Sequence, residues 1–140
     1  MYLLKKLSWT GIVSFVFLIS CDNYDFNKMS GMWQLKSVQE ANGSIQVVDT
    51  IFYSFQNNAF FSCTIVNPQT DFYESMVFYG YLDFPSEKKL HIELDSQYND
   101  PGTLDLFPWK AIEVTYDIVK QTRNELVLKQ DPTMYYFIRF

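Results

Sequence analysis

Residues 90–95 read "LHIELD", and the alternation inside these six residues decides the fold. Leu90, Ile92 and Leu94 fall on one side of an extended chain, and His91, Glu93 and Asp95 on the other. A strand with one apolar and one polar face belongs to an antiparallel sheet that packs on a core and meets water on its other side. The same period runs through 113–118, where Val114, Tyr116 and Ile118 oppose Glu113, Thr115 and Asp117. No segment of the chain after residue 30 repeats its apolar residues at helical spacing.

Working outward, β-branched and aromatic residues dominate, and turn residues punctuate them. Eight strands are predicted: 32–40, 47–56, 59–66, 72–84, 89–95, 112–120, 125–129 and 134–139. Asn42-Gly43 is a hairpin turn signal, and Asn57-Asn58 tolerates the positive φ of a tight turn. Asn67-Pro68, Pro85 and Asp131-Pro132 end strands, because proline cannot donate to a ladder. The long connection is 96–111, "SQYNDPGTLDLFPWKA", whose Leu104, Leu106, Phe107 and Trp109 form an apolar patch. It reads as a lid, or as cover for the open end of a core. Eight antiparallel strands joined by short turns hide their edges by closing, so the expected fold is all-β, an eight-stranded up-and-down barrel. A β-sandwich is the alternative, since both alternate alike.

The N-terminus is of a different kind. Lys5 and Lys6 precede the apolar "LSWTGIVSFVFLIS", residues 7–20, which is short for a membrane span and suits a secretory signal. It ends Leu18-Ile19-Ser20-Cys21, which resembles the lipobox of bacterial lipoproteins. That resemblance implies a signal peptide over 1–20, cleavage before Cys21, and a diacylglycerol on the Cys21 thiol with acyl chains such as palmitate. Residues 21–30 then form a lipidated tether, and 31–140 the barrel domain. Two or more acyl chains give stable anchoring. The implied partner is therefore a membrane, and the implied location the bacterial cell envelope, with the outer membrane favoured. Asp22 after the cysteine resembles an inner-membrane retention signal in enteric bacteria and a surface-export signal in the Bacteroidetes, so the face stays open.

Removing 1–20 leaves 9 basic and 16 acidic residues, a net charge of −7. That balance argues against nucleic acid as a partner. With Cys21 lipidated, Cys63 has no cysteine to pair with. It lies in "FFSCTIV", where a thiol acts as a small buried hydrophobe.

The first predicted strand opens Gly31-Met32-Trp33, and the last ends Ile138-Arg139-Phe140. A Gly-x-Trp on the first strand of an eight-stranded barrel, with a basic residue on the last, resembles the lipocalin family. More closely, the layout resembles lipocalin-like lipoproteins of the Bacteroidetes. The resemblance implies that Trp33 plugs the closed end under Arg139, with a cation–π contact of ~0.5–2 kcal/mol. A mid-barrel Thr-Asp-Tyr segment and a C-terminal helix, both usual in secreted lipocalins, are absent from the sequence.

Of 26 aromatic residues, 22 follow Cys21, in groups such as "FYSF" (52–55) and "FYGY" (78–81). Alternation sends neighbours to opposite faces, so rings lie both inside and outside. Inside, they line a cup for a small apolar ligand, with Trp33, Phe55, Tyr79, Tyr81 and Arg139 as the expected lining. The alternative is a barrel packed solid, which turns attention to outer rings, or to Leu106, Phe107 and Trp109, as a surface for an outer-membrane protein partner. Enzyme chemistry is not expected: His91 is the single histidine and lies on the polar face. No cofactor or metal is expected either, because the cysteine and histidine positions lack zinc spacing and Asp95, Asp100 and Asp105 lack the order of a calcium loop.

Overall fold

The computed structural model of the chain describes residues 29–67 and 74–140. Among these residues nine strands follow in order: β1 (Gly31–Gln39), β2 (Ile45–Val47), β3 (Ile51–Gln56), β4 (Phe60–Val66), β5 (Ser75–Ser86), β6 (Lys89–Leu94), β7 (Glu113–Gln121), β8 (Glu125–Gln130) and β9 (Thr133–Arg139). β1 pairs antiparallel with both β2 and β3, each strand from β4 on pairs antiparallel with the one before it, and β1 also pairs with β9. The sheet is thus a closed barrel of eight antiparallel strands with one extra short strand, and the sandwich alternative is set aside by the β1–β9 ladder.

The extra strand corrects one expectation. The predicted strand 47–56 is two segments, both on the edge of β1 opposite β9. Ser37 faces Val47 and Gln34 faces Phe52, so the register slips by two residues between β2 and β3. The predicted start of β5 at residue 72 lies outside the described residues. The Asn42-Gly43 and Asn57-Asn58 turns form as read, Asn57 and Asn58 both having positive φ.

Two irregularities set which side chains face inward. Between Leu35 and Ser37 the β1–β9 register shifts. The extra residue reverses the alternation, so Trp33 and Leu35 point in, and then Val38 rather than Ser37. On β5, Gly80 faces inward where the strand curls against β6. A Cβ there would lie 2.4 Å from the Glu93 carbonyl oxygen, so only glycine allows the two backbones this close.

Every strand but β2 sends a row of residues inside. Trp33, Tyr53, Phe55, Phe61, Leu90, Ile92, Tyr116, Leu126 and Phe137 are almost wholly buried. The closed end is built by both chain termini of the domain. The Arg139 guanidinium sits 4.1 Å from the Trp33 ring centroid. It donates through Nη1 to the Ser30 carbonyl at 2.6 Å and through Nε to the Arg123 carbonyl at 2.8 Å. The indole Nε1 donates to the Met29 carbonyl at 2.7 Å. Gly31, at φ +115°, leaves room for the guanidinium, 2.9 Å from where its Cβ would be. Replacing Trp33 by Ala should lower the unfolding free energy by ~3–5 kcal/mol, and Gly80→Ala by ~1–3 kcal/mol, both read from urea unfolding curves.

Candidate functional site

The barrel's other end carries the 40–44 turn, the 131–132 turn and the long 95–112 connection. That connection is folded. A short 3₁₀ turn (Ser96–Tyr98) is capped by Asp95, and a one-turn helix, α1 (Pro101–Leu104), by Asp100. The Thr103 N–H holds the Asp100 carboxylate below its usual pKa. Past α1 the chain dips into the barrel. Phe107 and Trp109 are buried, and Trp109 stands among rings of the wall, 5.7 Å from Tyr53, 6.2 Å from Phe61 and 6.2 Å from Tyr116. Phe107 packs against Phe78 at 4.9 Å and Trp109 at 5.1 Å.

The interior beneath these rings is filled. Tyr53, Phe55, Phe61 and Phe137 interlock at centroid distances of 4.8–6.3 Å. The Tyr53 and Tyr116 hydroxyls meet at 3.2 Å and give each other a polar partner. Cys63 is buried and free among them. Burial disfavours each charged form, and pushes the Tyr53 and Tyr116 hydroxyls and the Cys63 thiol well above their ordinary pKa values.

Above the Phe107–Trp109 pair the described residues leave the barrel mouth open. A hollow of about 510 Å³ has an apolar floor of Leu35, Val38, Val48, Ile51 and Trp109, and a rim that includes Glu40, Gln130, Thr133 and Tyr135. A second, of about 540 Å³, adjoins it through Gln46, Val48, Ile51, Asp105 and Leu106 and runs toward Ile65 and Asn67. Across both, Glu40, Asp49 and Asp105 face a single Lys110, so the mouth is net acidic.

Measured against the sequence reading, the expected site is split. Trp33 and Arg139 come together, but as a closed-end plug far from the mouth. Phe55 faces the interior and packs on Phe61. Tyr79 and Tyr81 do not line a cup; they are 60% and 54% exposed on the outer wall. In β5 it is Phe78, Gly80 and Leu82 that point inward, because the strand's phase places the even-numbered residues there. Tyr81 instead pairs across strands with Phe60, also exposed, beside a surface hollow of about 280 Å³ that Gln56 and Asp95 help to line. Phe107 and Trp109, read as a partner surface, are core. The residues of the mouth were missed, since Val48, Ile51, Gln130 and Thr133 are brought together by closure and share no local motif. Cys21 lies outside the described residues.

His91 lies on the outer wall, as its place in "LHIELD" implied. Its Nδ1 is 2.8 Å from the Thr115 hydroxyl and its Nε2 is 3.5 Å from the Glu113 carboxylate. Among the described residues, His91, Glu93 and Glu113 are the one group whose possible metal-ligand atoms all lie within 4.8 Å of one another. Glu93 and Glu113 face each other across β6 and β7, with His91 two residues along β6, a grouping invisible from their spacing in the chain.

A closed eight-stranded barrel with a plugged end and an open, partly apolar end defines a ligand-binding type of module. The chain belongs to the lipocalin-like domain family, whose profile matches residues 15–140. It is similar to a lipocalin-like protein from Bacteroides uniformis, with 25% identity and a TM-score of 0.70 over 81% of this chain and 99% of that one. It is also similar to an uncharacterized protein from Bacteroides eggerthii, with 27% identity and a TM-score of 0.66 over 79% and 98% of the two chains. No curated protein matches the chain.

The buried hydroxyls make stability fall in alkali. Their folded pKa values are raised, so the stability they contribute is whole below the unfolded tyrosine value of ~10 and is lost as pH climbs above it. The Cys63 thiol adds a slope from ~pH 9. Each group steepens the decline by up to ~1.4 kcal/mol per pH unit. Thermal melts between pH 8 and 12 should show this limb, and Tyr53→Phe with Tyr116→Phe should flatten it above pH 10.

Proposed function

We propose that this chain is a non-enzymatic protein of the bacterial envelope, anchored in the outer membrane by acyl chains on Cys21, whose barrel takes a small apolar molecule at its open end. The observation that carries the binding part is the half-open hollow of about 510 Å³ over an apolar floor, within the ~300–1,000 Å³ usual for small-molecule sites. The acidic balance at the mouth favours an uncharged or cationic molecule over a fatty acid or other anion. The tether supports the orientation. Met29 and Ser30 enter beside Trp33 and Arg139, so a chain tied at Cys21 turns its closed end to the membrane and its mouth away.

One observation favours a second reading. Phe60, Tyr79 and Tyr81 form an exposed ring cluster on the outer wall, and exposed aromatic patches serve as partner surfaces. On that reading the barrel is an accessory module of an envelope complex.

Titration of the protein with neutral, cationic and anionic apolar compounds should give saturable binding of the first two classes. Leu106→Asp, which puts a charge where both hollows meet, should weaken it at least tenfold; unchanged binding in that variant would move the site away from the mouth. Cys21→Ala should leave an unprocessed precursor without label after growth in radiolabelled palmitate, and normal labelling of this variant would refute the anchor.

A further inference from the structure

We propose that His91, Glu93 and Glu113 on the outer wall form a binding site for one divalent transition-metal ion, zinc in particular, which ties β6 to β7 at the root of the long connection. The inference is independent of the mouth and of any ligand there.

Geometry carries it. The possible ligand atoms of the three side chains all lie within 4.8 Å of one another. His91 Nε2 stands 3.5 Å from the Glu113 carboxylate, longer than a normal hydrogen bond. Two ligands of one tetrahedral ion, each bound at ~2.0–2.1 Å, stand ~3.3 Å apart. The observed gap is thus close to the spacing that an ion sets, and Glu93 and Glu113 are exposed chains that can turn to complete the set. The imidazole is oriented from its other side. Its Nδ1 is 2.8 Å from the hydroxyl of Thr115, directly across the ladder. With Nδ1–H donating to that oxygen, Nε2 keeps its lone pair on the side of the Glu113 carboxylate, and an outer hydrogen bond of this kind is how metal-bound histidines are held.

The surrounding charge favours a cation. Glu93 and Glu113 face each other directly, a like-charge pair that destabilises a ladder. Among the described residues, neither forms an ion pair with a lysine or arginine, and Lys89, two residues along β6 from His91, is taken by Asp117 at 2.7 Å. From β5, Asp83 faces His91 and Tyr81 faces Glu93, so the neighbouring strand adds a further carboxylate and no positive charge at these positions.

The donors select the ion. One imidazole nitrogen and two carboxylates suit zinc, which takes four ligands of this kind, and they leave one position for water. Calcium takes ~6–8 oxygen ligands, more than this set supplies. No zinc spacing marks the residues in the chain, because the third ligand comes from the next strand. Glu93 and Glu113 are also the last paired residues of the β6–β7 ladder before the 95–112 connection. An ion between them links the two strands from which that connection springs and cancels their repulsion.

The test titrates zinc chloride into the untagged full-length chain, stripped of metal by a chelator and kept in detergent. Calorimetry follows the heat, and nitrogen NMR of labelled histidine follows the ring, which is unambiguous because the chain has a single histidine. One equivalent should bind saturably, shift the His91 Nε2 resonance, leave Nδ1 protonated and raise the thermal midpoint by a few degrees. His91→Ala and Glu113→Gln should each weaken binding at least tenfold, and Thr115→Val, which removes only the orienting hydroxyl, about tenfold. Glu93→Gln separates the site from a mere surface ion pair: it should weaken zinc at least tenfold and, in the absence of metal, raise the thermal midpoint. The two glutamate variants decide the matter if His91→Ala does not fold. Calcium in large excess should not displace the zinc. No saturable binding, a His91 ring unmoved by bound zinc, displacement by calcium, or full affinity in both glutamate variants would each overturn the proposal.

Discussion

The ladder between β1 and β9 is the constraint on which the rest depends. It turns a meander with two bare edges into a closed surface, and it brings the two ends of the domain to one place. Once closed, the barrel has an inside that must be filled, and eight strands enclose a space only just wide enough for side chains. The Trp33 indole under the Arg139 guanidinium fills one end, with Met29 and Ser30 supplying carbonyls to the two polar groups. Among the described residues, closure at that end leaves the other as the route inward along the axis.

That other end is where this chain departs from a simple cup. The long connection brings its own aromatic rings into the interior, and they meet the wall at the distances and angles that ring quadrupoles prefer. Phe107 and Trp109 are thus core residues delivered by a segment that shares no ladder with the wall. The barrel wall is held by many cooperative hydrogen bonds, whereas the plug is held by contact alone. The geometry separates a hydrogen-bonded scaffold from a filler seated by ring contacts.

The outer wall tells a parallel story about faces. Period-two alternation assigns neighbours to opposite sides, so the aromatic doublets of β4 and β5 among the described residues each give one ring to the core and one to the surface. Phe78 is buried against Phe107 while Tyr79 is exposed. Phe61 is in the core while Phe60 faces out beside Tyr81. The high aromatic content therefore serves two surfaces. The same pairing sets His91 opposite Thr115 and Glu93 opposite Glu113, collecting on one patch groups that are far apart in the chain.

Much of the fold was legible in residues alone, because alternation and turn chemistry are local. "LHIELD", the Asn57-Asn58 turn and the Gly-x-Trp opening each carry their structural meaning within a few positions. Phase was harder. A strand pattern with rings at 78, 79 and 81 does not say which parity faces inward, and Gly80 settled that by its need to pass close to the Glu93 carbonyl. The slip between β2 and β3 and the bulge after Leu35 were hidden for a like reason, since register belongs to a pair of strands and not to either one. The mouth, the buried tyrosine pair and the placement of Trp109 inside the barrel came only with closure. Sequence by itself determined an all-β chain of alternating strands with a plug at its start. Tertiary structure decided which rings are walls, which are surface and which fill the centre, because those roles depend on distances between residues far apart in the chain, 63 positions for Tyr53 and Tyr116 and 109 for Ser30 and Arg139, that only a closed sheet brings within contact.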